Sequence, residues 1–458
     1  MQQVNIPISQ FNSAYFIGVG GIGMSALARY FHSRGWSVGG YDKTQTELTV
    51  QLQKEGILVS YTDLGNTIPE AFNSTENTLV IYTPAIPSDM GELSYVQNNG
   101  FHVYKRAQVL GMITRDSKAL CVAGTHGKTT TSTMLAHILD SSSLKCNAFL
   151  GGISTNFNSN FISDSSSDLT VIEADEFDRS FLQLTPFASI ITSTDADHLD
   201  IYGNTDDFLQ GFKMYADLIA KNGCLIKHID VELDGPSTIT YGLNCDADYS
   251  GSNLVFEEGE FLFDVDTPSG KFERIELGIP GIHNAENAIA CIALSYSIGV
   301  SEQEIRDALA SFKGVKRRFE YHYKTDDLVY IDDYAHHPTE IHALISSIRL
   351  LYPGQRITGV FQPHLFTRTR DFFDGFVQEL SQLDELVLLP IYPARELPIE
   401  GITSNALAEK INKPTVSVQS PSEAVAHVSN VETGIILTIG AGDIDRIIQP
   451  IKNTLQAR

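Results

Sequence analysis

Two neighbouring stretches of the chain concentrate residue types that handle phosphate and metal. GTHGKTT runs from Gly124 through Thr125, His126, Gly127, Lys128 and Thr129 to Thr130, between the apolar run KALCVA and a helix-forming stretch over residues 128–139. In that context the loop amides face phosphate oxygens, Lys128 neutralises the outer phosphates and Thr129 offers its hydroxyl to Mg²⁺. A strict Walker spacing would put glycine at Val122, so the loop is a variant of that pattern. EADEFDRSF, from Glu173, and TDADHLD, which contains His198, each follow an apolar strand and offer a carboxylate and an imidazole as metal ligands beside the loop. Magnesium prefers oxygen ligands, so the imidazole keeps Mn²⁺ open as well, and the same acids could instead cap helices.

Near the N-terminus Gly18, Gly20 and Gly23 form GxGxxG after AYFIGV, and Asp42 ends the next strand. Alone, this pattern fits an NAD-dependent oxidoreductase; it fits a UDP-sugar equally, because such glycines let any pyrophosphate approach a helix N-terminus. In the last third, KRR (316–318), DDYAHHPTE (332–340) and QPHLFTRTR (362–370) bring His and Arg to strand ends. Arg suits bidentate contact with carboxylate or phosphate, and a neutral His can take a proton from an amine nucleophile.

Three successive α/β patterns must position these groups. A βαβ start covers residues 14–42, with a further buried strand at 77–83. A second βα unit begins at Lys118 and acquires alternating segments between 250 and 277 that read as appended antiparallel hairpins. After FKGVKRRFE the runs LVYIDDYA, RITGVFQP, ELVLLPIY and GIILTIGAG alternate with helical stretches. Boundaries fall near 108 and 313, giving domains 1–108, 109–313 and 314–458, and the fold class is α/β with mostly parallel sheets.

Composition narrows the class further. The net charge of −24 excludes non-specific attraction to nucleic acid. Five scattered cysteines without a CxxC pair suggest neither a disulfide framework nor zinc. The polar N-terminus lacks a basic segment followed by an apolar run, and no stretch is apolar for long enough to span a bilayer, so a cytoplasmic protein without membrane insertion is expected.

Taken in order, GTHGKTT, EADEFDRSF, TDADHLDIYG, GIHNAENAIA, KRRFE, DDYAHHPTEI and QPHLFTRT resemble the Mur ligase family, and the resemblance spans the chain. It implies a Rossmann-like UDP-sugar domain, a central P-loop ATPase domain and a Rossmann-like C-terminal domain contributing nucleotide and amino-acid contacts. GVGGIGMS, RRFE and DDYAHHPTE look most like the branch that joins L-alanine to UDP-N-acetylmuramate with ATP, through an acyl phosphate, in peptidoglycan synthesis; the branch that recycles a tripeptide onto the same sugar nucleotide shares most of these motifs.

Carried over residue by residue, Gly18, Gly20, Gly21, Gly23, Asp42, Thr83 and Arg106 hold the UDP-sugar. Residues 124–130, His283, Asn284, Asn287, Arg318 and Asp333 hold ATP, while Thr129, Glu173 and His198 serve the metal. Tyr334, His336, His364 and Arg368 surround the amino acid; Lys128, His198, His336, His337 and Arg368 are the catalytic candidates, with His336 or His337 assisting proton loss. A monomer or weak homodimer is expected. Two departures stand out. PHLFTR replaces the expected PHRYTR, so Leu365 occupies the place of an arginine that would help clamp the incoming carboxylate. Phe212, beside Lys213, stands where several relatives carry a carbamylated lysine, so no carbamylation is assigned.

Overall fold

A computed structural model describes residues 7–195, 199–257, 260–394, 396–412 and 415–458. His198, assigned above to the metal, lies outside the described residues. Strands β1 (Ser13–Ile17), β2 (Ser37–Tyr41), β3 (Leu58–Ser60), β4 (Thr78–Tyr82) and β5 (His102–Lys105) form a parallel sheet in the order β3-β2-β1-β4-β5. All five residues of β1 are buried, as are four of the five in β4, which is why both read as unbroken apolar runs. The strand order reverses between β1 and β4. The loops leaving these two strands, which carry Gly18 to Gly21 and Thr83, therefore border the crevice where an α/β sheet places its ligand.

The second sheet contains β6 (Lys118–Ala123), β7 (Asn147–Ser154), β8 (Ser159–Ile162), β9 (Leu169–Glu173), β10 (Pro186–Ile191), β11 (Leu225–His228), β12 (Ile239–Leu243), β13 (Tyr249–Glu257), β14 (Glu260–Thr267) and β15 (Gly270–Leu277). Its order is β15-β14-β13-β12-β11-β10-β6-β9-β7-β8. Parallel β9 and β10 flank β6, so the phosphate loop and the two acidic strand ends emerge at one edge. The alternating segments form β13 to β15 at the far side. The antiparallel pair β7 and β8 escapes the sequence reading because glycines at 151 and 152 interrupt its apolar run.

The third sheet contains β16 (Glu320–Lys324), β17 (Leu328–Asp333), β18 (Ile357–Phe361), β19 (Glu385–Leu388), β20 (Val416–Val418) and β21 (Gly434–Ile439) in the order β16-β17-β21-β18-β19-β20. Only β16 is antiparallel to its neighbour. By compactness the chain forms two units. One comprises Met1–Val255, Leu262–Leu277 and Glu286–Lys313; the other comprises Phe256–Phe261, Gly278–Ala285 and Gly314–Arg458. The first two sheets thus share one body.

A buried polar cluster stitches that body together. Arg29, 8% exposed, donates from Nε and Nη2 to the Glu55 carboxylate at 2.7 and 2.9 Å, and from Nη1 to Asn160 Oδ1. Asn160, on β8, donates from Nδ2 to Ile22 O at 2.5 Å and Ser25 Oγ at 2.9 Å, in the first turn of the helix Ile22–Ser33 that follows the glycine loop. Replacing Arg29 by leucine leaves the buried Asn160 Oδ1 without its donor and the part-exposed Glu55 carboxylate without its cation. Arg29→Leu is expected to lower unfolding free energy by about 2 kcal/mol in urea titration; an unchanged midpoint would show that the cluster carries no net stability.

Candidate active site

The phosphate loop is shaped by its neighbours as much as by its own residues. Gly124 and Gly127 have φ of +132° and +78°, and a Cβ at Gly127 would fall 2.8 Å from Asn287 Oδ1. The segment leaving β10 pins the loop. Ser193 O accepts from Thr125 N at 3.2 Å, Ser193 Oγ from His126 N at 3.1 Å and Asp195 O from Thr125 Oγ1 at 2.6 Å, while Thr192 Oγ1 donates to His126 O. The amides of Thr125 and His126, expected to face phosphate, are therefore engaged within the protein. Phosphate is left the first-turn amides of the helix Lys128–Ser141, which have no intrahelical acceptor. Asn287 is 6% exposed and its buried Nδ2 has no partner among the described residues, as suits a donor awaiting a nucleotide.

Lys128 Nζ donates to Gly124 O at 2.6 Å, to Thr125 O at 3.2 Å and to Glu176, whose two carboxylate oxygens each lie at 2.9 Å. The Glu176 side chain is 1% exposed. Burial pushes its carboxyl up to about 7 against the pull of the ammonium. On Lys128 burial acts downward, and Glu176, Asp175 and Glu173 overcome it and raise the pKa. Two short contacts make the ionised pair the state that the geometry supports. Glu176 was absent from the sequence-derived site. Its place three residues after Glu173 on a strand exit was the available signal.

A cavity of about 240 Å³ joins the glycine loop to these acids, lined among others by Gly21, Gly23, Thr83, Arg106, Glu173 and Asp175. Arg106 Nη2 lies 3.6 Å from Asp175 Oδ2, and a Cβ at Gly23 would fall 2.8 Å from Arg106 Nη1, so the third glycine of GxGxxG admits the guanidinium. Asp42 serves the loop directly: its carboxylate accepts from Gly20 N at 2.8 Å and Thr44 N at 3.1 Å. Phe212 is fully buried against Phe181 and Phe208, and Lys213 is exposed.

The second unit gathers the remaining groups. Tyr334 has the Arg318 and Arg317 guanidinium groups 4.9 and 5.2 Å from its ring centroid. Asp333 accepts from Phe319 N at 2.7 Å and Ala335 N at 2.8 Å, and burial pushes its carboxyl up to about 6. It orders the turn that presents Tyr334. His336 Nδ1 stands 3.0 Å from Tyr334 O, which requires Nδ1 to carry the proton and leaves Nε2 as the basic nitrogen. Burial lowers its pKa, Glu340 opposes and Arg368 reinforces the effect. Burial, with help from His336 and Arg368, pushes His364 down to about 4. Arg368, 9% exposed, has Nη1 3.4 Å from His364 Nδ1.

His337 does different work: its Nδ1 accepts from Thr339 N at 3.3 Å, capping the helix Pro338–Leu351, and its ring sits 4.4 Å from that of Phe372. His336 is thereby the better placed of the two for proton transfer. His283 and Asn284 belong to the second unit and Asn287 to the first; Asn284 Nδ2 donates to Pro280 O at 2.6 Å.

Removing the lysine is expected to cost phosphate binding without costing the fold, because burial already predisposes Glu176 to take up a proton. Lys128→Ala should weaken nucleoside triphosphate binding by about 100-fold in calorimetry while the cavity beside Arg106 keeps its ligand. Loss of both affinities would contradict separate subsites.

Residues 13–118 match the Mur ligase family catalytic domain, residues 122–295 the Mur ligase middle domain and residues 317–442 the Mur ligase glutamate ligase domain. The chain is 48% identical over 458 residues to the UDP-N-acetylmuramate--L-alanine ligase of Cytophaga hutchinsonii, covering 98% of both chains. It is 49% identical over 449 residues to the ligase of the same name from Porphyromonas gingivalis, covering 96% of this chain and 98% of that one. The crystal structure of the UDP-N-acetylmuramate-alanine ligase of Thermotoga maritima superposes with a TM-score of 0.83 at 28% identity, over 97% of this chain and 99% of that one. A murein peptide ligase from Psychrobacter arcticus, at 23% identity and a TM-score of 0.69, shares the fold. With three family domains matched in order along nearly its whole length, this chain belongs to the Mur ligase family.

Proposed function

We propose that this chain joins L-alanine to UDP-N-acetylmuramate at the expense of ATP, giving UDP-N-acetylmuramoyl-L-alanine, ADP and phosphate in peptidoglycan biosynthesis. The observation that carries the reading is the near-full-length 48% identity to a ligase of that name. The cavity running from the glycine loop past Arg106 to Glu173 and Asp175 supports it, since it links the glycine loop to the acids on the strand exit beside the phosphate loop. In a ligase, GxGxxG holds a pyrophosphate and no nicotinamide is required.

A carboxylate is a poor electrophile, so the γ-phosphoryl group of ATP passes to the muramoyl carboxylate, ADP departs and an acyl phosphate results. Lys128, released from Glu176 by the incoming phosphates, offsets the charge of two anions brought together. Asn287 Nδ2 and the first-turn amides after Gly127 orient the nucleotide. Thr129 and Glu173, with His198, would hold Mg²⁺ or Mn²⁺, which supplies further charge compensation when bound.

Arg368 takes the alanine carboxylate beside His364 and Tyr334. The neutral amine attacks the acyl carbon, His336 Nε2 takes the proton, the C–O bond to phosphate breaks and the amide forms. With Leu365 in place of an arginine, Arg368 carries the carboxylate contact. We take residues 1–108, 109–313 and 314–458 as the sugar-nucleotide, ATPase and amino-acid domains of a cytoplasmic monomer or weak homodimer. No helix among the described residues is long and apolar enough to cross a membrane.

Phosphate release from ATP and Mg²⁺ with UDP-N-acetylmuramate tests the reading when no amine, L-alanine and the L-Ala-D-Glu-meso-diaminopimelate tripeptide are compared and product masses determined. Alanine-dependent phosphate with a product one alanyl residue heavier is expected; turnover with tripeptide alone would move the protein to recycling. In the pH profile of kcat, burial of His336 places the acid limb below the ordinary imidazole value of 6.5, so activity is retained above that limb and lost as pH falls through it. His336→Gln should lower kcat by about 100-fold and abolish the limb; a limb that persists would assign it to another group.

A further inference from the structure

The loop that carries His364 and Arg368 is shaped by a segment that contributes no residue to the site described above. Leu365 opens the helix Phe366–Asp371 with φ of +70°, a conformation unfavourable for a side chain with a Cβ, and it supplies no side-chain cap. The cap comes instead from Glu396, 29 residues beyond Thr367. One Glu396 oxygen accepts from Thr367 N at 3.0 Å and the other from Thr367 Oγ1. Four residues earlier in the same segment, Tyr392 O accepts from Leu365 N at 2.9 Å and Tyr392 N donates to Pro363 O at 2.9 Å. The Tyr392 ring stacks on His364 with centroids 5.5 Å apart and planes inclined by 17°. Tyr392 and Glu396 thus grip residues 363–367 through backbone, ring and carboxylate together.

Arg368 directly follows the capped residue, and its guanidinium stands beside the imidazole on which Tyr392 lies. A carboxylate at the start of a helix also meets the positive end of its backbone dipoles, which a neutral cap does less well. We propose that Glu396 is a positioning residue for the amino-acid substrate: it fixes the strained turn so that Arg368 and His364 present one preformed carboxylate-binding face, with Tyr392 bracing the imidazole. Both Glu396 oxygens are spent on Thr367, so the residue acts through the turn and not on the amine itself. The inference rests on the reading that Arg368 and His364 hold the amino acid.

The test measures all three Michaelis constants, kcat and thermal stability for Glu396→Ala, Glu396→Gln, Thr367→Val and Arg368→Ala in the full-length enzyme. Glu396→Ala is expected to raise the KM for L-alanine by about 10-fold, leaving kcat within about 3-fold and the KM values for ATP and UDP-N-acetylmuramate unchanged. Glu396→Gln, whose amide oxygen still accepts from Thr367 N, should recover most of the loss, and Thr367→Val should show a smaller rise in the same constant. An unchanged alanine KM in Glu396→Ala while Arg368→Ala raises it would overturn the inference. So would a rise in all three constants, which would make Glu396 a general brace. If Glu396→Ala does not fold, Thr367→Val and Glu396→Gln decide by the same split. An unchanged alanine KM in Arg368→Ala would instead remove the amino-acid pocket itself.

Discussion

The architecture turns on keeping one ammonium group charged and aimed inside a protein whose net charge is −24. Lys128 sits at the start of a helix, where backbone dipoles disfavour a cation, and it is mostly withdrawn from water. Glu176 offsets both effects, and the carbonyls of Gly124 and Thr125 complete the shell. That arrangement requires β9 and β10 to flank β6, because the first delivers Glu176 and the second delivers the Thr192 to Asp195 segment that clamps the loop. The order of the central sheet is thus a condition for the phosphate site. The glycine loop gains a fixed place through the Arg29 and Asn160 cluster, which binds its helix to β8.

Charge is distributed differently in the second unit. There burial lowers the pKa of both His336 and His364, and Arg368 reinforces the effect on each. A neutral imidazole is the form that can accept a proton from an amine, and the hydrogen bond from Nδ1 to Tyr334 O selects the nitrogen that does so. The two bodies therefore use opposite devices: a carboxylate keeps a buried lysine charged in one, and burial lowers the pKa of histidines in the other.

Leu365 shows how a local substitution is absorbed by its surroundings. The backbone there has φ of +70°, in a turn that Tyr392 and Glu396 hold by hydrogen bonds. On the proposed reading, the carboxylate contact that an arginine would have shared falls to Arg368.

Local sequence determined much of this protein. The three α/β blocks, the strands β1, β4, β6, β9, β10, β17, β18, β19 and β21, and the residues of the phosphate loop were legible because buried parallel strands are continuous apolar runs and glycine, lysine and threonine stand at contiguous positions. The gathering of Gly21, Gly23, Thr83 and Arg106 around one cavity is the grouping that the family resemblance implied. Tertiary structure decided what depends on contacts between distant segments: Glu176 as the partner of Lys128, Asp42 and Asp333 as holders of backbone turns, His337 as a helix cap and Glu396 as the cap of a helix 29 residues earlier. Each role is a hydrogen bond whose donor and acceptor are brought together only by the order of strands in a sheet or the pairing of two loops, and residue spacing along the chain carries no record of that.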